Sequence, residues 1–205
     1  MKKMLFLSLL TLGLTTVSHS QDLKWISFNW VNDTLNGRYF EKLGITLPVH
    51  IENVPNVFNF QFDLGANESM IYGNSIKNYL LKYKGLGSKL DKTDTSYING
   101  SALPHFKNIR LVLGKMPFDS VRISEYTNFG DEIPVDSLDK NMKVVAGTIG
   151  ADFFRDKVLI LDYKNRRIGI SRDVPATFRK VKLGKCDMKE GRIYITYMVN
   201  GKPEL

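Results

Sequence analysis

The sequence predicts a mainly β fold, a closed barrel-like lobe with one or two short helices. Three observations carry that reading. Apolar and polar residues alternate over many short stretches, the period of half-buried strands. Turn signals, among them Asn99-Gly100, Gly114 and Lys164-Asn165, separate those stretches at hairpin spacing. Helical periodicity is confined to one good segment, 74–84. With 43% hydrophobic and 24% charged residues among 205, the chain has an ordinary globular composition and enough apolar material for a medium-sized core.

The first twenty residues stand apart. Lys2 and Lys3 precede the apolar run "MLFLSLLTLGLTTV", and Ser18 and Ser20 supply small residues for cleavage. This is the layout of a secretory signal peptide, and the apolar run is short for a membrane span. The expectation is a secreted or periplasmic protein with no stable membrane anchor. Removing 1–20 takes away two lysines and lowers the formal charge from +8 to +6. The remaining Lys and Arg are scattered, a solvated basic face rather than a nucleic-acid site.

The elements follow in order. Residues 22–33 alternate as a strand, and "LNGRYFEKLG" reads as a turn and short connection. Residues 45–52 and 57–63 form a hairpin turning at "NVPN". Phe58, Phe60 and Phe62 point to one face of its second strand; Asn59, Gln61 and Asp63 point to the other. In 74–84, Ile76, Tyr79, Leu80 and Tyr83 make one helical stripe, and Asn74 or Ser75 can cap it. Residues 107–126 read as a strand pair turning near Gly114. Residues 127–143 read as a polar surface loop. "KVVAGTIGADFF" (143–154) reads as strand, glycine turn and short helix, and 157–171 as a hairpin. The mature lobe spans 21–180. Residues 181–205 read as the start of a second lobe, apparently truncated, because "GRIYITYMVNGKPEL" echoes "LGITLPVHIENVPN". The alternative is a terminal edge strand of a complete domain.

Several chemistries are disfavoured. Cys186, the only cysteine, excludes an internal disulfide and reads as a buried small hydrophobe. His50 and His105 do not have zinc spacing, no GxSxG elbow occurs, and "GLGSKL" lacks the third glycine of a dinucleotide loop. No metal or cofactor is expected. The residue that raises a chemical question is Asp63, which ends an aromatic-rich strand and starts "DLGA". It is either a catalyst or a turn-starting carboxylate beside Gly65. Asn67-Glu68-Ser69 also matches a glycosylation acceptor, a common triplet.

Taken in order, "FDLGANES", the hairpin "TSYINGS" (95–101), "VVAGTIGADFF" and "VLILDYKNRRIGIS" resemble the retropepsin-like and pepsin-like aspartic proteases over roughly residues 43–171. The resemblance implies an acid-protease-like lobe with Asp63 as catalytic carboxylate and Leu64, Gly65 and Ala66 as its active-site turn. It implies Tyr97, Asn99 and Gly100 as a substrate-binding flap, and Gly147, Ile149 and Gly150 as packing beneath the turn. In this family two such aspartates share one proton and activate a water between them, since carboxylates about 3 Å apart do not both ionise. A peptide or protein substrate is implied. A homodimer or a missing second lobe is needed to supply the second Asp. The chain departs from the pattern at Leu64, where the family carries Thr or Ser. Leucine cannot make the hydroxyl bond that locks the two active-site turns together. Two functions are therefore expected in competition: a secreted aspartic endopeptidase, and a weak or inactive exported peptide-binding protein on the same fold. A plain all-β surface domain is a third, remote option.

Overall fold

The computed structural model describes residues 23–98, 100–140, 143–181, 186–189, 192–195, 197–199 and 202–204. Residues 1–20, where a signal peptide is expected, and Asn99 lie outside the described residues. The strands in chain order are β1 (Lys24–Ser27), β2 (Asn29–Leu35), β3 (Arg38–Ile51), β4 (Phe58–Phe62) and β5 (Met70–Tyr72). Helices α1 (Gly73–Lys82) and α2 (Lys84–Gly87) follow. Next come β6 (Leu90–Ile98), β7 (Ser101–Leu113), β8 (Met116–Tyr126) and β9 (Val145–Ile149). The chain closes with β10 (Val158–Asp162), β11 (Arg167–Ser171), β12 (Cys186–Lys189), β13 (Arg192–Ile195), β14 (Tyr197–Val199) and β15 (Lys202–Glu204).

One large sheet runs β2-β3-β4-β9-β5-β8-β7-β6, and β3 also pairs with β7. That extra pairing, Val49 to Leu113 through Ile51 to Leu111, bends the sheet back on itself and closes a barrel. Its interior is apolar: Leu47, Val49, Phe60, Ile71, Phe106, Leu111 and Ile149 are all fully buried. Each such side chain contributes about 1.5–3 kcal/mol by leaving water. β1, β11 and β10 form a separate three-stranded sheet, and β12–β13 and β14–β15 are two further antiparallel pairs.

The strand that matters most for the site is β9. It pairs parallel with β4 and antiparallel with β5, although β4 and β5 are consecutive in the chain. The link from β4 to β5, residues 63–69, therefore has to arch over the end of β9. Gly147 makes this close packing feasible, because a Cβ there would collide with the Phe60 ring and the Met70 carbonyl.

Several elements differ from the sequence expectation. Residues 22–33 are not one strand: Phe28 breaks them into β1, paired with β11, and β2, paired with β3. "RYFEKLG" is not a connection but the first half of the long β3, and the turn falls at Asn36-Gly37, with Gly37 at φ +77°. The helix expected at 74–84 is α1, followed at once by the short α2, but Asn74 and Ser75 do not cap it. Tyr72 occupies the N-cap position without a side-chain cap, while Asn74 and Ser75 hold the carbonyls of Gly130 and Asp131. The described part of that loop, 127–140, is thus strapped to α1 rather than free, and it buries Ile133 and Leu138. Cys186 is exposed on β12, not buried.

Candidate active site

Asp63 follows directly on β4, and the barrel decides where it points. Phe58 and Phe60 are buried in the core, and Phe62 packs edge-on against Phe154 with ring centroids 5.7 Å apart. Alternation along the strand sends Gln61 and Asp63 to the outer face. Two backbone bonds then fix the turn. The Asp63 amide donates to the Ile149 carbonyl (3.1 Å), and the Ala66 amide donates back to the Asp63 carbonyl (3.2 Å). The Asp63 carboxylate accepts the Gly65 amide through Oδ1 at 2.8 Å. Asp63 is therefore a turn-forming carboxylate by its local geometry. Its half-buried position also leaves it able to act on something outside.

Gly65 has no positive φ, so its turn is open to any residue on backbone grounds. What it supplies is room: a Cβ there would lie 3.1 Å from Asp63 Oδ1. Gly150 supplies room from below, since its Cβ would lie 2.8 Å from the Ala66 carbonyl and 2.9 Å from Asp152 Oδ1. The Ala66 carbonyl accepts the Ala151 amide (2.9 Å), and Ser69 Oγ accepts the Gly150 amide (2.9 Å) while donating to Asp152 Oδ1 (2.7 Å). The structure thus brings Asp63, Gly65, Ala66, Ile149 and Gly150 into one knot. Ile149 contributes its carbonyl there and buries its side chain in the core. Leu64 is partly buried against the same core.

The β6–β7 hairpin carries the other expected residues. Tyr97 pairs with Ala102 and is 71% exposed. Gly100 sits at the tip with φ +79°, the left-handed region a glycine reaches at no steric cost. Asn99 lies outside the described residues. Among the described contacts, the polar interactions gather at the base of this hairpin rather than at its tip.

That base holds residues the sequence reading did not single out. Glu68 Oε1 accepts hydrogen bonds from the hydroxyls of Ser124 and Ser96 (the latter 2.9 Å) and lies 3.2 Å from His105 Nε2. His105 is wholly buried, and its Nδ1 meets the Asp94 carbonyl at 2.8 Å. Asp94 in turn holds Arg122 in a two-pronged pair (3.0 and 2.8 Å) and Lys107 at 3.2 Å. The hydrogen bond from Arg122, then its charge and that of Lys107, keep the Asp94 carboxyl well below the usual carboxylate range. Asn67, Glu68, Ser69, Arg122, Asp152 and Arg155 line a cleft of about 410 Å³ beside the Asp63 turn. A lone histidine in an apolar strand was the visible signal, but its partner Glu68 lies 37 positions away.

A second missed pair lies on the outer face of β9. Tyr72 Oη is 2.7 Å from Thr148 Oγ1, and both residues are buried. Burial pushes the Tyr72 phenol above its ordinary pKa, the Thr148 hydrogen bond pulls it back, and the charge of Asp63 pushes it up again. Among the described residues, no group of His, Cys, Asp and Glu is arranged to hold a metal ion.

No family model and no curated protein sequence matches the chain. Solved structures similar to it include the retroviral protease-like domain of Ddi1 from Leishmania major, at 13% identity over 65% of this chain and 96% of that one, with a TM-score of 0.40. A retropepsin-like aspartic protease from Rickettsia conorii matches at 20% identity over 73% of this chain and 90% of that one, with a TM-score of 0.40. An aspartic proteinase from Irpex lacteus matches at 12% identity over 79% of this chain, with a TM-score of 0.40, and the match spans about half of that enzyme, 51%.

Proposed function

We propose that the chain is an exported aspartic-type peptidase lobe that hydrolyses peptide bonds through a water activated by Asp63, once a second carboxylate is brought alongside. The observation that carries this reading is the position of Asp63: an outward-facing carboxylate in a turn fixed to β9 by the Ile149 carbonyl and seated on Gly150. Bonds and contacts of this kind restrict how far the carboxylate can move, which is what positioning demands, since a displacement of about 1 Å costs about a hundredfold in rate. One carboxylate cannot be both base and acid in the same step. A second copy of the chain, or a second lobe, supplies the other Asp. The ionised member takes a proton from water while the protonated member donates to the scissile carbonyl oxygen, each contributing about 10²–10⁴-fold. Export rests on the segment 1–20.

Leu64 favours a second reading, a peptide-binding protein using the same groove without cleavage. Its side chain packs against the core and offers no hydroxyl to a facing turn. One experiment separates the two. The mature chain is assayed on a library of fluorogenic peptides between about pH 3 and pH 7, the range over which a carboxylate pair changes protonation, with sedimentation to record its oligomeric state. Cleavage that falls at least about a hundredfold in Asp63→Asn is the expected result. Saturable peptide binding without cleavage, equal in Asp63→Asn, overturns the peptidase and leaves the binder.

A further inference from the structure

On the outer face of the sheet, Thr148 of β9 sits in register between Gln61 of β4 and Met70 of β5. Asp63 lies two positions beyond Gln61, and Tyr72 lies two beyond Met70, so the two-residue period of a strand puts all five on the same face. Because β4 and β5 run in opposite directions, Asp63 and Tyr72 leave Thr148 toward opposite ends of β9. The length of the tyrosine closes that gap. Its side chain leans back along β9 until Oη meets Thr148 Oγ1 at 2.7 Å, and there the phenol feels the charge of Asp63.

The ring has little freedom to do otherwise. Phe129 meets it edge-on with centroids 4.7 Å apart and itself stacks on Tyr126 at 4.6 Å. Gly130, at φ +86°, packs so tightly that a Cβ would lie 2.7 Å from Tyr72 Cβ. The strap behind these residues is tied to α1 through Asn74, Ser75 and Asn78.

Asp63 has a corresponding opening. Its Oδ1 is taken by the Gly65 amide, and the turn "DLGA" contains no hydroxyl that could serve Oδ2. We propose that Tyr72 is a positioning residue for Asp63: its phenol, oriented by a hydrogen bond from the Thr148 hydroxyl, presents its proton through one water toward the carboxylate oxygen that the turn leaves unbonded. With Thr148 donating, the phenolic proton stays free for that purpose. The purpose rests on the reading of Asp63 as the reacting group, and the coupling itself does not.

The test uses the full mature chain with ¹³C-labelled tyrosine, followed by NMR through alkaline pH; the Tyr72 signal is identified by its loss in Tyr72→Phe. The titration midpoint of Tyr72 is expected to move down in Asp63→Asn, because a negative charge that opposes tyrosinate has been removed. It is expected to move up in Thr148→Val, which deletes the hydrogen bond that eases ionisation. A midpoint indifferent to Asp63→Asn means that burial and Thr148 set it without Asp63, and overturns the proposal. In hydrolysis, Tyr72→Phe keeps the ring contacts and is expected to lower kcat about tenfold with KM little changed; wild-type kcat in that variant also overturns it. If the wild type cleaves no peptide, the peptidase reading fails by itself, and the response of the Tyr72 midpoint to Asp63→Asn still decides whether the two residues are coupled.

Discussion

At the scale of single residues, the site is governed by who has room for a Cβ and who has a partner. Gly150 is the clearest case of room. An added methyl would press on the Ala66 carbonyl at 2.8 Å, and that is backbone with little ability to move. Gly150→Ala is expected to destabilise the fold by about 1–3 kcal/mol, read as a lower urea midpoint. It should disturb the Asp63 turn as well. Glu125 is the clearest case of a missing partner. Burial raises its pKa, and the Thr127 hydroxyl (2.6 Å) and the charge of Lys92 ease the charged form only in part. The folded carboxyl thus keeps its proton to higher pH than the unfolded one. Stability from this group is greatest below the ordinary glutamate range, about pH 4, and is lost as pH rises through the raised pKa. Glu125→Gln should therefore stabilise the protein at pH 7 and lose that advantage as the pH is lowered toward 4, which thermal melts across the range will reveal.

At the scale of elements, polar side chains on α1 do work that sequence patterning assigned to its caps. Asn78 donates to the Ile133 carbonyl (2.9 Å) and Glu132 (3.2 Å), and Lys77 pairs with Glu132 at 2.6 Å. These bonds hold the strap that covers Tyr72. Asn78→Ala leaves the buried Ile133 carbonyl without that donor, a loss of about 1–3 kcal/mol. The expected signature is local: faster hydrogen exchange at 129–133, with β3 and β7 amides slowed as before. The strand pattern itself was legible, since alternation located the β4, β7, β8, β10 and β11 regions. It failed at 22–33, where a run that alternates like one strand is split between two sheets. Alternation records which face a residue takes, and two successive strands that keep the same phase look continuous. Asn74 and Ser75 failed as caps for a related reason: the strap offered them carbonyls, a partner that no local rule contains.

At the scale of the whole molecule, distant charges meet across the β6–β7–β8 base. Asp91 is held well below the usual carboxylate range, first by Lys107 and then by Thr93, and Asp94 first by Arg122. Groups depressed in this way contribute stability that is complete above about pH 4 and lost as pH falls through their lowered values. In acid unfolding, Asp94→Asn is expected to be less stable than wild type at neutral pH, with the two curves converging in strong acid. Equal curves at pH 7 would show that the Arg122 pair is too exposed to matter. The sequence by itself determined the mainly β class, the aromatic inner face of β4 and the outward direction of Asp63. Those are properties of neighbours in the chain, set by strand alternation. Only the tertiary structure decided that β9 is inserted between β4 and β5, that β3 closes on β7, and that Glu68 meets His105 and Tyr72 meets Thr148. Such pairings join residues tens of positions apart, and their energy appears only when the closed barrel excludes water from between them.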